Sequence, residues 1–215
     1  MNKFYDRVIK RLIDFILASI GIIILIPFWI VLAIAIKIDD PGPVFFKQKR
    51  FKRDSKDGKP AYFSILKYRS MKTSTPKDMP THMLKNPEQY ITKVGGFLRK
   101  TSLDELPQIF NIWTGSMAIV GPRPALYNQT DLYEERAKYG ANGVRPGLTG
   151  WAQINGRDEL EIEDKARLDG DYVKKLSFGM DLRCFFGTFL SVLRQEGVVE
   201  GGTGATNADK TDEET

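Results

Sequence analysis

The sequence predicts an α+β fold, mostly helical, whose first element is made for lipid rather than for a protein core. Three observations carry this. From Phe15 to Ile36 the chain holds no charged side chain. Two short stretches rich in aromatic and β-branched residues flank a turn-forming pentapeptide, and most of the remainder shows the three- and four-residue apolar spacing of helices. A chain of 215 residues is long enough for one domain with a real core, and too short for two ordinary domains plus a membrane segment.

The run FILASIGIIILIPFWIVLAIAI is too long, and too apolar on every side, for an amphipathic surface helix. No small-residue cleavage site precedes Lys37-Ile38-Asp39-Asp40, so the segment is expected to be retained rather than removed as a signal peptide. Both flanks are basic: Lys3, Arg7, Lys10 and Arg11 on one side, Lys37, Lys47, Lys49, Arg50, Lys52 and Arg53 on the other. Positive charge is kept on the cytoplasmic side, which places both ends there. Pro27 splits the run into halves of about ten to twelve residues, roughly 15–18 Å each, half of a ~30 Å hydrocarbon core. Two readings stand on these grounds: a helix that enters one leaflet and turns back at Pro27, and a spanning helix with a proline kink, which membranes tolerate. Asp14 at the edge of the run is costly unless paired, and Lys10 and Arg11, four and three residues before it, are its expected partners.

Asp40-Pro41-Gly42-Pro43 is a turn, VFFKQKRF a short strand, Asp54-Ser55-Lys56-Asp57-Gly58 a hairpin loop and AYFSILKYRSM the returning strand. The polar stretch Lys72–Gln89, with Pro76, Pro80 and Pro87, reads as a mobile loop or short helical turns. Helical spacing then covers Lys93–Lys100, Leu103–Trp113, Asp131–Tyr139, Glu159–Leu176 and Asp181–Arg194. The last is strongly apolar (LRCFFGTFLSVLR), and it suits core, a membrane surface or the interface of a homodimer. Gly197–Thr215, rich in Gly, Thr and acidic residues, is expected to be disordered.

Cys184 is the single cysteine and His82 the single histidine, so no intrachain disulfide can form and a metal site would rest on carboxylate oxygens. The formal charge is +5; the last fifteen residues carry −3, leaving +8 on the rest. Such a balance suits nucleic acid, anionic lipid headgroups or phosphate-bearing small molecules, and does not choose among them.

Three stretches can carry chemistry. In RKTSLDELPQIFNIW, Ser102-Leu103-Asp104-Glu105 matches the S-x-x-E capping box, which makes Glu105 a helix cap and Asp104 a partner of the helix dipole. Pro107 favours instead a helix that starts at Asp104. The functional alternative is a carboxylate pair that holds a hard cation such as Mg²⁺ while one member attacks phosphorus. Gly121-Pro122-Arg123-Pro124 is too stiff to be helical and would present Arg123 as a fixed fork suited to phosphate. The loop from Arg145 to Arg157, RPGLTGWAQINGR, has the same character, with Trp151 either for base stacking or for core.

These stretches, with KRLIDF, GPVFFKQKR, KYRSM and LDGDYV, resemble the monotopic phosphoglycosyl transferases, or bacterial sugar transferases, from about Lys10 to Arg194, and in particular the small members that consist of the catalytic domain alone. The resemblance implies a re-entrant helix turning at Pro27, a cytoplasm-facing catalytic domain over residues 38–196, and residence at the bacterial inner membrane. Many members have Ser before that proline; Ile26 stands there in this chain. It also implies that Asp104 attacks the sugar-bearing phosphorus of a UDP-sugar, releases UMP and passes the phosphosugar to undecaprenyl phosphate, with Mg²⁺ and without nucleic acid. That is a first membrane step of exopolysaccharide, lipopolysaccharide or capsule synthesis. Arg69, Arg99, Arg123, Arg145, Arg157 and Asp169 are expected at the substrate phosphates, Glu105 at the metal, and Lys10, Arg11, Asp14 and Pro27 at the membrane. Two rivals remain at this level: a non-enzymatic basic module binding anionic lipid or polymer, and a one-step transferase in which Asp104 only holds Mg²⁺.

Overall fold

A computed structural model describes residues 3–75, 86–156 and 160–194. A π-helical turn, Tyr5–Ile9, runs into α1 (Lys10–Ile24), which breaks at Leu25 and resumes as α2 (Ile26–Asp39). The axes of the two arms differ by 62°. Pro27 lies in the first turn of α2, where its missing N–H costs nothing. The Trp29 indole donates to Ile22 O at 3.3 Å, serving a carbonyl at the break. Among the described residues no single helix is long and apolar enough to cross a membrane.

β1 (Phe45–Lys52) and β2 (Ala61–Tyr68) form the expected hairpin, antiparallel, with Phe45 opposite Tyr68 and Lys52 opposite Ala61. α3 (Lys93–Lys100) has the bounds its spacing predicts, and Thr92 Oγ1 caps it by accepting from Gly95 N–H at 2.9 Å. The single helix expected over Leu103–Trp113 is instead a 3₁₀ turn, Leu103–Glu105, followed by α4 (Gln108–Trp113). Ser102 sits in the left-handed region at φ 56° and its side chain caps nothing, so the capping box does not form. Pro107, which cannot donate, marks the start of α4, and Asp104 lies outside that helix rather than at its first residue.

β3 (Ala118–Val120), α5 (Thr130–Lys138), β4 (Gly147–Thr149), α6 (Trp151–Ile154), α7 (Ile162–Lys174) and α8 (Phe178–Arg194) complete the chain. The stretch read as a glycine-punctuated loop from Arg145 thus contains β4, which pairs in parallel with β3, Ala118 opposite Gly147 and Val120 opposite Thr149. Three-residue strands are too short to show alternation. Glycine permits the pairing: a Cβ on Gly147 would lie 2.1 Å from Gly121 N, and one on Gly121 2.4 Å from Arg145 O. Of the proline-rich loop, Pro87–Tyr90 forms a 3₁₀ turn; His82 and residues 76–85, like the tail from 195 onward, lie outside the described residues.

The two N-terminal arms are part of the core as well as its greasiest surface. Ala18 of α1 packs with Ile65, Ile112 and Met117, and Leu32 and Ile36 of α2 pack with Tyr68 and Leu98. α4 is seated against both arms: a Cβ on Gly21 would come within 2.6 Å of Ile109 Cδ1, and the Phe110 ring lies 5.3 Å from that of Trp29. The outer faces, including Ile23, Ile24, Phe28 and Val31, are more than half exposed. An apolar surface of that extent marks a lipid or protein partner. α8 buries Met180, Asp181 and Cys184 and exposes Phe178, Phe186 and Leu190.

At the base of the arms the charge of Lys10 acts on Asp14, and that of Asp14 on Arg11, as their spacing suggests, but the direct contacts of all three lie elsewhere. Asp14 is met by Arg145 at 3.1 Å and accepts Ile119 N–H at 3.1 Å. Lys10 pairs with Asp181 at 2.7 Å, an acceptor it shares with the Tyr5 and Tyr172 hydroxyls. Arg11 donates to Ile112 O and Trp113 O, the C-terminal end of α4, at 2.8 and 2.7 Å. Buried charges need partners with good geometry, and the direct contacts of Lys10, Arg11 and Asp14 come from residues more than a hundred positions away.

Candidate active site

The Asp104–Glu105 turn leads directly into α4, so the helix that touches both apolar arms also places the carboxylate pair. Across from it stands the end of β2. Lys67 is on the same hairpin face as Ile65 and Phe63, the face turned toward α4, where Asn111 Oδ1 accepts from Leu66 N–H at 2.8 Å and Asn111 Nδ2 donates to Ser64 O at 2.9 Å. Lys67 Nζ donates to Glu105 Oε1 at 2.8 Å and lies 3.7 Å from Asp104 Oδ2. Arg123 Nη2 donates to the same Glu105 oxygen at 3.1 Å. Arg99 projects from α3, its Nε donating to Ser70 Oγ at 2.9 Å, and its charge, like those of Lys67 and Arg123, acts on Asp104.

The two carboxylates are tuned in opposite directions. Burial raises the pKa of Asp104, with Glu105 adding to the rise and Lys67, Arg99 and Arg123 only partly countering it. Burial also acts on Glu105 as the largest single influence, but Arg123 and Lys67 together hold it well below the usual carboxylate range. Glu105 is therefore a fixed anion clamped by two cations, and Asp104 a more basic one held loosely. With three cations around two carboxylates the site is net positive, which suits an incoming diphosphate.

For a metal, no group of three or more His, Cys, Asp or Glu side chains gathers among the described residues. A cation here would take Asp104 and Glu105 as its protein ligands and complete its shell from phosphate oxygens and water, the pattern Mg²⁺ favours. The donor set fits.

Of the residues expected at the substrate phosphates, the structure joins Arg123 and Arg99 to the pair. Arg69 is buried and bonded to both the carboxylate and the carbonyl of Asp40, holding the end of α2 to the hairpin. Arg145 serves Asp14 and donates to Asp6 O at 3.2 Å. Asp169, 1% exposed, is paired with Arg136 at 2.6 Å. None of these three has a described contact with Asp104 or Glu105, and Arg157 lies outside the described residues. Trp151 lies under Arg183, 4.8 Å from its ring centroid to Cζ. Lys67 was not singled out by sequence reasoning. Its signal was a cation on the otherwise apolar inward face of a strand, visible only once the register is known.

A carboxylate pair ringed by cations suits the transfer of a sugar phosphate, and residues 5–195 match the family model for bacterial sugar transferases. The chain belongs to that family. It is 40% identical over 190 residues to the UDP-glucose:undecaprenyl-phosphate glucose-1-phosphate transferase of Escherichia coli (strain K12), an alignment covering 85% of this chain and 40% of that protein. It is 39% identical to EpsL, an uncharacterised sugar transferase of Bacillus subtilis (strain 168), over 89% of this chain and 90% of EpsL. To the exopolysaccharide production protein PSS of Rhizobium leguminosarum bv. phaseoli it is 36% identical, over 87% of this chain and 96% of that protein. The chain thus spans about two fifths of the Escherichia coli relative and nearly all of the shorter ones.

Proposed function

We propose that this chain is a phosphoglycosyl transferase that moves a sugar 1-phosphate from a UDP-sugar to undecaprenyl phosphate in two steps, through a phosphosugar carried on Asp104. The observation that supports it most is the unequal pair: Glu105 held by Lys67 and Arg123, Asp104 raised in pKa and 3.7 Å from Lys67. In the first step an Asp104 oxygen attacks the phosphorus that bears the sugar, the bridging P–O bond breaks, and UMP leaves with the bridging oxygen. In the second an oxygen of undecaprenyl phosphate attacks the same phosphorus, the acyl-phosphate bond breaks, and Asp104 is restored as the free carboxylate. No proton need move in either step, since nucleophile and acceptor are already anions. Arg123, Arg99 and Lys67 lower the repulsion between these anions and offset the charge growing on UMP. Mg²⁺ bound at Asp104 and Glu105 would add charge neutralisation of the diphosphate.

The apolar elbow of α1 and α2 enters the leaflet on the cytoplasmic face of the inner membrane and returns, so that α4 and the turn before it stand at the headgroup level where a lipid phosphate arrives. Names of relatives make UDP-glucose the first donor to test and exopolysaccharide synthesis the first pathway class.

The test is incubation of the enzyme with sugar-labelled UDP-glucose and a panel of other UDP-sugars, without lipid acceptor. One equivalent of UMP is expected with label on Asp104, followed by release on adding undecaprenyl phosphate. Full turnover with no adduct, under sequential rather than ping-pong kinetics, would sink the covalent step and leave Asp104 as a metal ligand only.

A further inference from the structure

Arg123 stands between Pro122 and Pro124, neither of which has an N–H to tie the loop to its neighbours. The loop is held by its carbonyls instead. Gly147 N–H donates to Pro122 O, Arg136 Nη1 to Arg123 O and Arg50 Nη1 to Pro124 O, each at 2.9 Å. Three consecutive carbonyls are thus gripped from outside. The two arginines are themselves fixed. Arg136 is 5% exposed and its Nε meets Asp169 Oδ2 at 2.8 Å. Arg50 Nη2 donates to Gln48 Oε1 at 2.8 Å. Beneath the loop lies a cavity of about 20 Å³ bordered by Pro122, Pro124 and Arg136. That is room for about one water. Pro122, Pro124 and Ala125 are buried around it, so the guanidinium bonds act together with packing and the β3–β4 pair in fixing the loop.

We infer that Arg136 and Arg50 are positioning residues of the transfer reaction proposed above, setting through the Arg123 and Pro124 carbonyls where the Arg123 guanidinium stands against Glu105 and the donor diphosphate. Neither arginine touches the reacting atoms. Asp169 enters the site through this pair: it holds Arg136, which holds the backbone of Arg123. A lysine at 136 keeps the charge beside Asp169, but a single ammonium cannot reproduce the planar fork that reaches Asp169 and the Arg123 carbonyl together. A misplacement of about 1 Å in a phosphate-binding group costs on the order of 100-fold in rate.

The test is a set of double-mutant cycles on the full chain in phospholipid nanodiscs, following UMP release from UDP-glucose in the presence of undecaprenyl phosphate. Arg136→Lys and Arg50→Lys should each lower kcat roughly 10- to 100-fold with KM for UDP-glucose changed less than about threefold. In an Arg123→Gln background each should cost less than about twofold, because the guanidinium to be placed is gone. Losses that multiply in the double variants would overturn the assignment, as would a fall in kcat that merely tracks melting temperature. Should Arg136→Lys not fold, Arg50→Lys on the half-buried hairpin decides by the same cycle. A second readout needs no turnover: the NMR signal of the Arg123 guanidinium Nε, identified by its loss in Arg123→Gln, should shift in either lysine variant. An unmoved signal would overturn the inference. A wild-type protein that releases no UMP from any UDP-sugar tells against the transfer reading alone.

Discussion

Asp104 and Glu105 are neighbours in sequence with the same functional group, and the fold gives them different chemistry. Burial penalises the ionised form of Asp104 more than its cations repay, whereas Glu105 gains more from Arg123 and Lys67 than burial takes away. A raised pKa in the folded state means that ionised Asp104 costs stability above the ordinary carboxylate pKa of about 3.9, a cost that disappears as pH falls and the group is protonated in folded and unfolded chains alike. Asp104→Asn is therefore expected to melt no lower than wild type at pH 7, with the difference shrinking toward acid pH, while UMP release is abolished. Glu105→Gln should go the other way, losing about 1.5–3 kcal/mol from one or both charge-assisted bonds, since the stability of a depressed carboxylate is present above its unfolded pKa and lost as pH falls. A melting curve in which Asp104→Asn is the more damaged variant would contradict this division. The same raised pKa puts the acid limb of kcat/KM above the ordinary Asp range, which a pH–rate profile reads directly. Adjacency was legible in the sequence; the asymmetry was not, because it comes from Lys67 on a strand and Arg123 on a distant loop.

At the scale of elements, the β3–β4 pair decides whether Arg123 faces Glu105 at all. A Cβ on Gly147 would meet Gly121 N at 2.1 Å and Thr149 O at 2.4 Å, both backbone atoms that cannot move aside. Gly147→Ala should cost roughly 2–4 kcal/mol, at the severe end for a single substitution, and reduce UMP release beyond the loss of folded protein. Gly143→Ala, with nothing within 4 Å of its added methyl, is the control, expected within about 0.5 kcal/mol of wild type; urea unfolding of the two checks the contrast. Long periodic elements such as α3 were visible from spacing, because eight residues are enough for the pattern to repeat. The 3₁₀ turn at Leu103–Glu105 was not, since a capping box and a turn that starts from a left-handed Ser102 share the same four residue types.

Taken whole, the molecule buries one face of its apolar N-terminus in the core and leaves the other exposed. Ala18, Leu32 and Ile36 are buried against the hairpin, α3 and α4, and the charges at the base are bound to residues in β4's approach and α8. The re-entrant insertion proposed above requires both ends of this elbow to lie on one side of the bilayer. With single cysteines introduced at Lys3 and at Lys59 in a Cys184→Ser background, a membrane-impermeant maleimide should label both from the cytoplasmic face of inverted vesicles and neither from the outer face of intact spheroplasts. Labelling of Lys3→Cys from outside would establish a crossing helix.

The sequence by itself determined the local quantities: a charge-free run interrupted at Pro27, a hairpin with its basic strand, the helices long enough to repeat, the family, and the carboxylate pair. These follow from composition, from short-range spacing and from the order of motifs along the chain. Only the tertiary structure decided who partners whom. Asp14 gains Arg145 besides the nearby charge of Lys10, Asp169 pairs with Arg136, and Lys67 emerges as the cation between the two carboxylates. The reason is physical: a buried charge is stabilised by whichever opposite charge the packing brings within about 3–4 Å, and that distance is set by helix and strand placement across the whole chain, not by separation along it.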